Sequence, residues 1–326
     1  MKLATRNNGE RDGQLMLVSR DLLWMVDAEG IAATLQEAIE NWQQTQPALQ
    51  ARYAALNAGL ITRALPFDVG QLLAPLPRAW QWLDGSAFLS HGERMQQAFN
   101  LPPIEGVEDT PLMYQGCGDD FLGASEDIVC ANDAWELDFE GEYAVLVDDV
   151  PMGCNPIAAL SHVRLLLQLN DISLRALAPR EMKTGFGFIH AKPSSAFAPV
   201  AVTPDELGES WRDGRIHLPL TIRRNGEPFG QQSGAEMHFH FGELIAHAAL
   251  TRRLRAGTLV GSGTISGRDS AKGASCIAEV RALETIASGA PRTPYLQAGE
   301  FLFMESRSGD DRAVFGAIQQ RVTAPR

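Results

Sequence analysis

The residues with the clearest chemical potential are three acids in Asp138-Phe139-Glu140-Gly141-Glu142-Tyr143, which runs into the apolar Ala144-Val145-Leu146-Val147. In a strand, alternate residues share a face. Asp138, Glu140 and Glu142 then point one way, with Phe139 and Tyr143 on the other. Like charges side by side on one strand face repel. A divalent cation held by carboxylate oxygens relieves that repulsion, and an all-oxygen donor set favours Mg²⁺, Mn²⁺ or Ca²⁺ over zinc. The competing reading is a solvated acidic strand paired with Arg. A further acid, Asp171, follows the apolar run Val163–Leu169, read as the end of a helix over Ile157–Leu169. An acid at a helix exit opposes the helix dipole, which suggests a task other than capping.

Two other segments bear on chemistry. Val260-Gly261-Ser262-Gly263-Thr264-Ile265-Ser266-Gly267 is glycine-rich, but its third glycine comes four residues after the second. That spacing excludes the dinucleotide fingerprint, and the segment is no nucleophile elbow either. A tight turn whose backbone can approach a small ligand remains, beside a plain strand–strand turn. His238 and His240 read as two histidines on one strand face, since no third zinc ligand lies at usable spacing. His162, His190, His217 and His247 read as structural, Asp119 and Asp120 as loop residues, and Trp80 and Trp82 as packing ahead of pocket wall.

These residues must be positioned by a chain of 326 residues, 45% hydrophobic and 21% charged, long enough for a sizeable core. Twenty-eight basic against 40 acidic residues leave a net charge of −12, which argues against a nucleic-acid partner. No apolar run reaches the ~20 residues of a membrane helix, and Met1–Asp12 lacks a signal-peptide core. Cys117, Cys130, Cys154 and Cys276 have no C-x-x-C spacing and read as reduced cytoplasmic thiols.

Strands are expected at Lys2–Thr5, Gln14–Ser19, Glu142–Val147, Ala198–Val202, Ile216–Ile222 and Gly257–Gly261. Helices are expected over Ile31–Leu60, broken or restarted at Pro47, and over Ile157–Leu169 and Phe241–Leu254. Leu101–Thr110 reads as a surface loop. Many strands with few helices predict an α+β, β-rich fold. Three prolines in Leu65–Pro77 place a boundary near residue 75, giving a small strand–helix segment (1–75) and a larger catalytic region (76–326).

The motifs in order are Asp84…His91, Pro111-Leu112-Met113-Tyr114, Asp138-Phe139-Glu140-Gly141-Glu142, Asn170-Asp171-Ile172-Ser173-Leu174-Arg175, Ala191-Lys192-Pro193 and Gly261-Ser262-Gly263-Thr264-Ile265-Ser266-Gly267. Together, across about residues 78–326, they resemble the fumarylacetoacetate hydrolase family. The resemblance implies a mixed β-roll and a homodimer. It also implies one divalent cation, Mg²⁺ first with Mn²⁺ or Ca²⁺ as alternatives, held by Asp84, Glu140, Glu142 and Asp171. His91, seven residues after Asp84, falls at the catalytic histidine, and Glu279 at the acid that orients it. Lys192 falls at the lysine near the substrate carbonyl, and Tyr114 and Thr264 at substrate contacts. The chain departs from the family at Leu177-Ala178-Pro179, where its hydrolases often carry a substrate-binding Gln. A His-x-x-Glu pair of another branch is also missing, since the Glu after His91 is Glu93.

Cleaving a carbon–carbon bond in a small diketo acid needs an electrophile for the departing enolate, a base for water and a partner for the oxyanion. A divalent cation, His91 steadied by Glu279, and Lys192 answer these needs in turn. The expectation is therefore a hydrolase of a fumarylacetoacetate- or acylpyruvate-like substrate working through a metal-stabilised enolate. A 2-keto acid decarboxylase or hydratase shares that enolate, and a purely structural metal site is the non-catalytic alternative.

Overall fold

The computed structural model describes residues 1–325 as an α+β, strand-rich fold. Two sheets organise it. The larger, eleven-stranded among the described residues, runs from Leu65–Pro66 through Trp24–Asp27, Gln14–Val18, Lys2–Arg6, Ala201–Val202, Val163–Asn170, Gly141–Val147, Thr258–Gly261 and Gln81–Gly85 to Met113–Gln115, with Ala196–Phe197 paired to Val163–Asn170 off this path. The five-stranded sheet orders Glu227–Ser233, Pro219–Arg224, Phe301–Ser306, Ile318–Thr323 and Ile128–Val129. The hydrogen-bonded path of each stays open at its ends.

Side-chain alternation divides the core. Tyr143, Val145, Val147, Leu166 and Val260 pack with Leu220, Ile222, Leu302 and Met304 of the smaller sheet. Ala144, Leu146, Leu165, Leu167 and Leu259 face the other way. There they meet Leu35, Ala38 and Ile39 of α1 (Leu35–Glu40) and Leu49, Tyr53 and Leu56 of α2 (Trp42–Asn57). The first strand joins this sheet directly, with Lys2 opposite Val202 and Leu3 opposite Ala201. Sheet hydrogen bonding therefore crosses the position near residue 75 where the prolines cluster.

Four local expectations are corrected. Val163–Asn170 is a strand, preceded only by the short helix Pro156–Leu160. Its unbroken apolar run reflects burial on both faces, which helical periodicity cannot distinguish. Pro47 lies inside α2, and the helical break is at Asn41, whose side-chain amide donates to the Glu37 carbonyl while its own carbonyl accepts the first bonds of α2. The helix begun at Phe241 stops at Ala248, because Leu254 pairs with Val150 through both backbone bonds. His238 and His240 lie before that helix rather than on a strand. His240 caps it by accepting from the Gly242 N–H, and the His238 ring meets the Glu108 carbonyl.

Candidate active site

The strand Gln81–Gly85 pairs in parallel with Thr258–Gly261 and antiparallel with Met113–Gln115. Asp84 stands opposite Tyr114 and Gly261 in these registers, so Asp84 and Tyr114 share a face. The glycine turn explains its composition here. A Cβ on Gly261 would lie 2.2 Å from Asp84 Oδ1, and one on Gly263, at φ +76°, 2.4 Å from the Gly85 carbonyl. Only glycine lets the turn close over this strand, where the Gly263 N–H donates to Asp84 Oδ1 at 3.2 Å.

Glu142 leads from the strand Gly141–Val147, and Asp171 immediately follows Val163–Asn170, its neighbour in the sheet. Carboxylate oxygens of Asp84, Glu142 and Asp171 lie within 4.8 Å of one another, and all three residues are buried. Asp171 accepts from Tyr114 Oη at 2.6 Å, Ser195 Oγ at 2.7 Å and Lys192 Nζ at 2.6 Å. Both Glu142 oxygens are buried without a hydrogen-bond partner. Burial, with the Asp171 charge next, raises the Asp84 carboxyl to about 8. Burial and then Asp84 and Asp171 push Glu142 well above its usual range. The two unpartnered, buried oxygens of Glu142, set beside the Asp84 and Asp171 carboxyls, fit a hard dication, because the described residues give Glu142 neither a hydrogen bond nor an ion pair.

Glu140 differs from the four-acid expectation. Lys192 takes one of its oxygens at 2.6 Å and Arg175 the other at 2.6 Å, which leaves it outside the three-acid group. Burial alone would raise its carboxyl, but Lys192 and Arg175 hold it below the usual range. Lys192, largely shielded from solvent, stays protonated because Asp171 and Glu140 outweigh the cost of burial. Asp138 leaves the acidic face altogether. Its oxygens accept from the Ile277 and Ala278 N–H groups at 2.7 and 2.9 Å, at the start of the helix Ile277–Ser288, and from Arg175 Nε at 2.9 Å. The strand divides at Phe139–Glu140: Leu137–Asp138 pairs with Ser173–Leu174, and Gly141–Val147 with Val163–Asn170.

That capped helix presents Glu279 to the helix Leu89–Phe99, which carries His91. His91 Nδ1 and Glu279 Oε2 are 2.7 Å apart. Arg94 and Ser266 Oγ both donate to Oε1, and Arg94 also donates to the Gly267 carbonyl. Burial would raise the Glu279 carboxyl, but the His91 hydrogen bond and the His91 and Arg94 charges keep it low. Thr264 is buried directly after Gly263. Sequence reading assigned no role to Arg94, Arg175, Ser195 or Ser266. The signal for Arg94 was its i,i+3 spacing from His91 on one helix face. Exchanging Arg94 for Gln removes a charge-assisted bond worth roughly 1.5–3 kcal/mol. We expect kcat to fall about ten- to a hundredfold with KM nearly unchanged, and Lys at this position to restore part of it. A loss confined to KM contradicts a positioning role.

The fumarylacetoacetate (FAA) hydrolase C-terminal domain description matches residues 81–323, and fumarylacetoacetase N-terminal domain 2 matches residues 1–78. The chain belongs to the fumarylacetoacetate hydrolase family. Its relatives in this enzyme family differ in the reactions they are named for. The oxaloacetate tautomerase YisK of Bacillus subtilis is 27% identical over 200 residues, 60% of this chain and 62% of that protein. The 2,4-didehydro-3-deoxy-L-rhamnonate hydrolase of a Sphingomonas strain is 26% identical over 171 residues, 52% of this chain and 56% of that protein. The match thus spans less than two thirds of either relative. In fold, the chain resembles maleylpyruvate hydrolase from Sphingobium sp. SYK-6, solved with manganese(II) and pyruvate (TM-score 0.65, 15% identity, all of both chains covered). Among the described residues no helix is long and apolar enough to cross a membrane.

Proposed function

We propose that the chain is a divalent-cation-dependent hydrolase that cleaves a carbon–carbon bond in a small diketo acid of the fumarylacetoacetate or acylpyruvate kind. The observation that carries this reading is the hydrogen-bonded His91–Glu279 pair, close enough for the His91 charge to act on Glu140, together with three buried, mutually close acids and Lys192. Asp84, Glu142 and Asp171 would hold the cation, with Glu140 beside them. Oxygen-only donors favour Mg²⁺, with Mn²⁺ or Ca²⁺ as alternatives, and the manganese in the Sphingobium neighbour supports a divalent ion. When bound, such an ion supplies Lewis-acid charge for the keto and enol oxygens of the substrate.

The chain's own residues account for the rest. Glu279 Oε2 holds the proton on His91 Nδ1 and leaves Nε2 to take a proton from water. Glu279, kept ionised by Arg94, then stabilises the imidazolium. The water oxygen adds to the carbonyl carbon while Lys192 Nζ donates to the developing oxyanion. As the carbon–carbon bond breaks, the acyl part leaves as a carboxylate and the departing carbon regains a proton. Tyr114 orients Asp171 and, with Thr264, lines the position proposed for substrate.

A second reading has direct support. A proton-moving base and a carbonyl-facing lysine also serve keto–enol tautomerisation, the activity in the name of the Bacillus relative. A panel separates the reactions. Hydrolysis bleaches the ultraviolet enol absorbance of acylpyruvates and yields two acids. A tautomerase interconverts the forms of oxaloacetate without new carboxylate, and a decarboxylase releases CO₂. Tautomer exchange with no acid formed on any acylpyruvate rules out the hydrolase reading. A keto acid substrate, a homodimer and a cytoplasmic setting complete the proposal. The exposed Phe186, Ile189 and Leu250 support self-association, and the four free thiols a reducing compartment.

A further inference from the structure

We propose that His91, Cys276 and Glu279 form a second cation site, suited to thiophilic dications such as Zn²⁺, and that filling it disables the His91–Glu279 pair. A ring nitrogen of His91, the Cys276 sulfur and a Glu279 oxygen lie within 4.8 Å of one another. The donors are of the opposite kind to those of the Asp84, Glu142 and Asp171 cluster. Sulfur, nitrogen and one carboxylate suit Zn²⁺, Cd²⁺ or Co²⁺, whereas three carboxylates suit Mg²⁺ or Mn²⁺. The chain thereby holds two neighbouring sites that distinguish ions by hardness.

Local structure builds this second site. Cys276 is fully buried and caps the helix Ile277–Ser288, its sulfur accepting from the Glu279 N–H at 3.4 Å. Glu279 follows three residues later, and His91 reaches in from the neighbouring helix. The His91 side chain is 17% exposed, which gives an ion an entry path. Three protein ligands leave a fourth tetrahedral position for water. Thiolate and carboxylate balance the two charges of the ion, while Arg94 remains on the other Glu279 oxygen. On uptake Cys276 gives its thiol proton to solvent. His91 stays neutral, its ring proton on the nitrogen turned away from the ion, and no oxidation state changes. His91 can then no longer accept a proton from water.

The test is a cobalt titration of the full chain already loaded with Mg²⁺. We expect one Co²⁺ per chain to bring up a near-ultraviolet thiolate-to-cobalt charge-transfer band, bleached by added Zn²⁺. Cys276→Ser keeps a good helix cap and should show no band. Absence of the band in the wild-type chain overturns the site. So does a band that survives in Cys276→Ser, because the thiolate is then Cys117, Cys130 or Cys154. This readout needs no substrate, so it stands apart from the hydrolase reading. In turnover without cobalt, Zn²⁺ should inhibit the wild-type chain despite excess Mg²⁺. Cys276→Ser, measured against its own zinc-free rate, should need about tenfold more Zn²⁺ or beyond for half-inhibition. Equal sensitivity of the two proteins overturns the link to the His91–Glu279 pair.

Discussion

Exchanging His91 for alanine is expected to lower kcat by about 10²- to 10⁴-fold, while the protein retains the divalent cation of the Asp84, Glu142 and Asp171 cluster. The two effects separate because the histidine and the acid cluster belong to different networks. His91 bonds Glu279, which is held by Arg94 and Ser266. The acids Asp84, Glu142 and Asp171 are held by the central strands, with Tyr114, Ser195 and Lys192 around Asp171. Glu279→Gln should depress kcat as well, since the amide cannot stabilise the imidazolium. Acylpyruvate turnover with metal content measured on the same samples checks both. A His91→Ala enzyme within about threefold of wild type removes the histidine from the chemistry.

Chelation has the second large effect, and its size depends on pH. The folded-state carboxyl of Asp84 is raised from 3.8 to about 8 by burial first and then by Asp171, and Glu142 moves the same way. Between about pH 4 and 8 the folded, cation-free chain therefore binds more protons than the unfolded chain, and its stability falls as pH rises. A dication displaces those protons, so its binding strengthens over the same interval. The melting temperature of chelated protein should drop from pH 5 to pH 8. Excess Mg²⁺ should restore it strongly at pH 8 and little at pH 5; saturation at a hundred times Kd contributes about 2.7 kcal/mol. Glu142→Gln should flatten both responses, since the amide removes one repelling charge and one ligand. Equal magnesium stabilisation at both pH values, or none at either, means the three acids do not hold the ion.

The α+β, strand-rich character was legible because strand-like runs between turn residues recur through the larger part of the chain. Val163–Asn170 was not, since burial on both faces erases the alternation that marks a strand. Residues of the candidate site were legible as types in order, and the structure brings Asp84, Glu142 and Asp171 together from three strand ends. Alternation on a single strand nevertheless misplaced Asp138, because the chain changes partners at Phe139–Glu140 and frees Asp138 to cap a helix. The ionic partners of Glu140 were equally hidden. Arg175 and Lys192 lie 35 and 52 residues beyond it in the numbering, and only the fold sets them against its two oxygens. Arg94 was within reach of helical spacing.

The opening strand Lys2–Arg6, hydrogen-bonded to Ala201–Val202, has a practical consequence for dissection of the protein. A truncate starting near residue 76 would expose an unsatisfied sheet edge and strip α1 and α2 from Leu146, Leu165, Leu167 and Leu259. An open edge beside an uncovered oily surface invites strand addition from other molecules. Such a fragment should go to inclusion bodies, so the amino-terminal piece is better treated as a built-in solubility shield than as a detachable module.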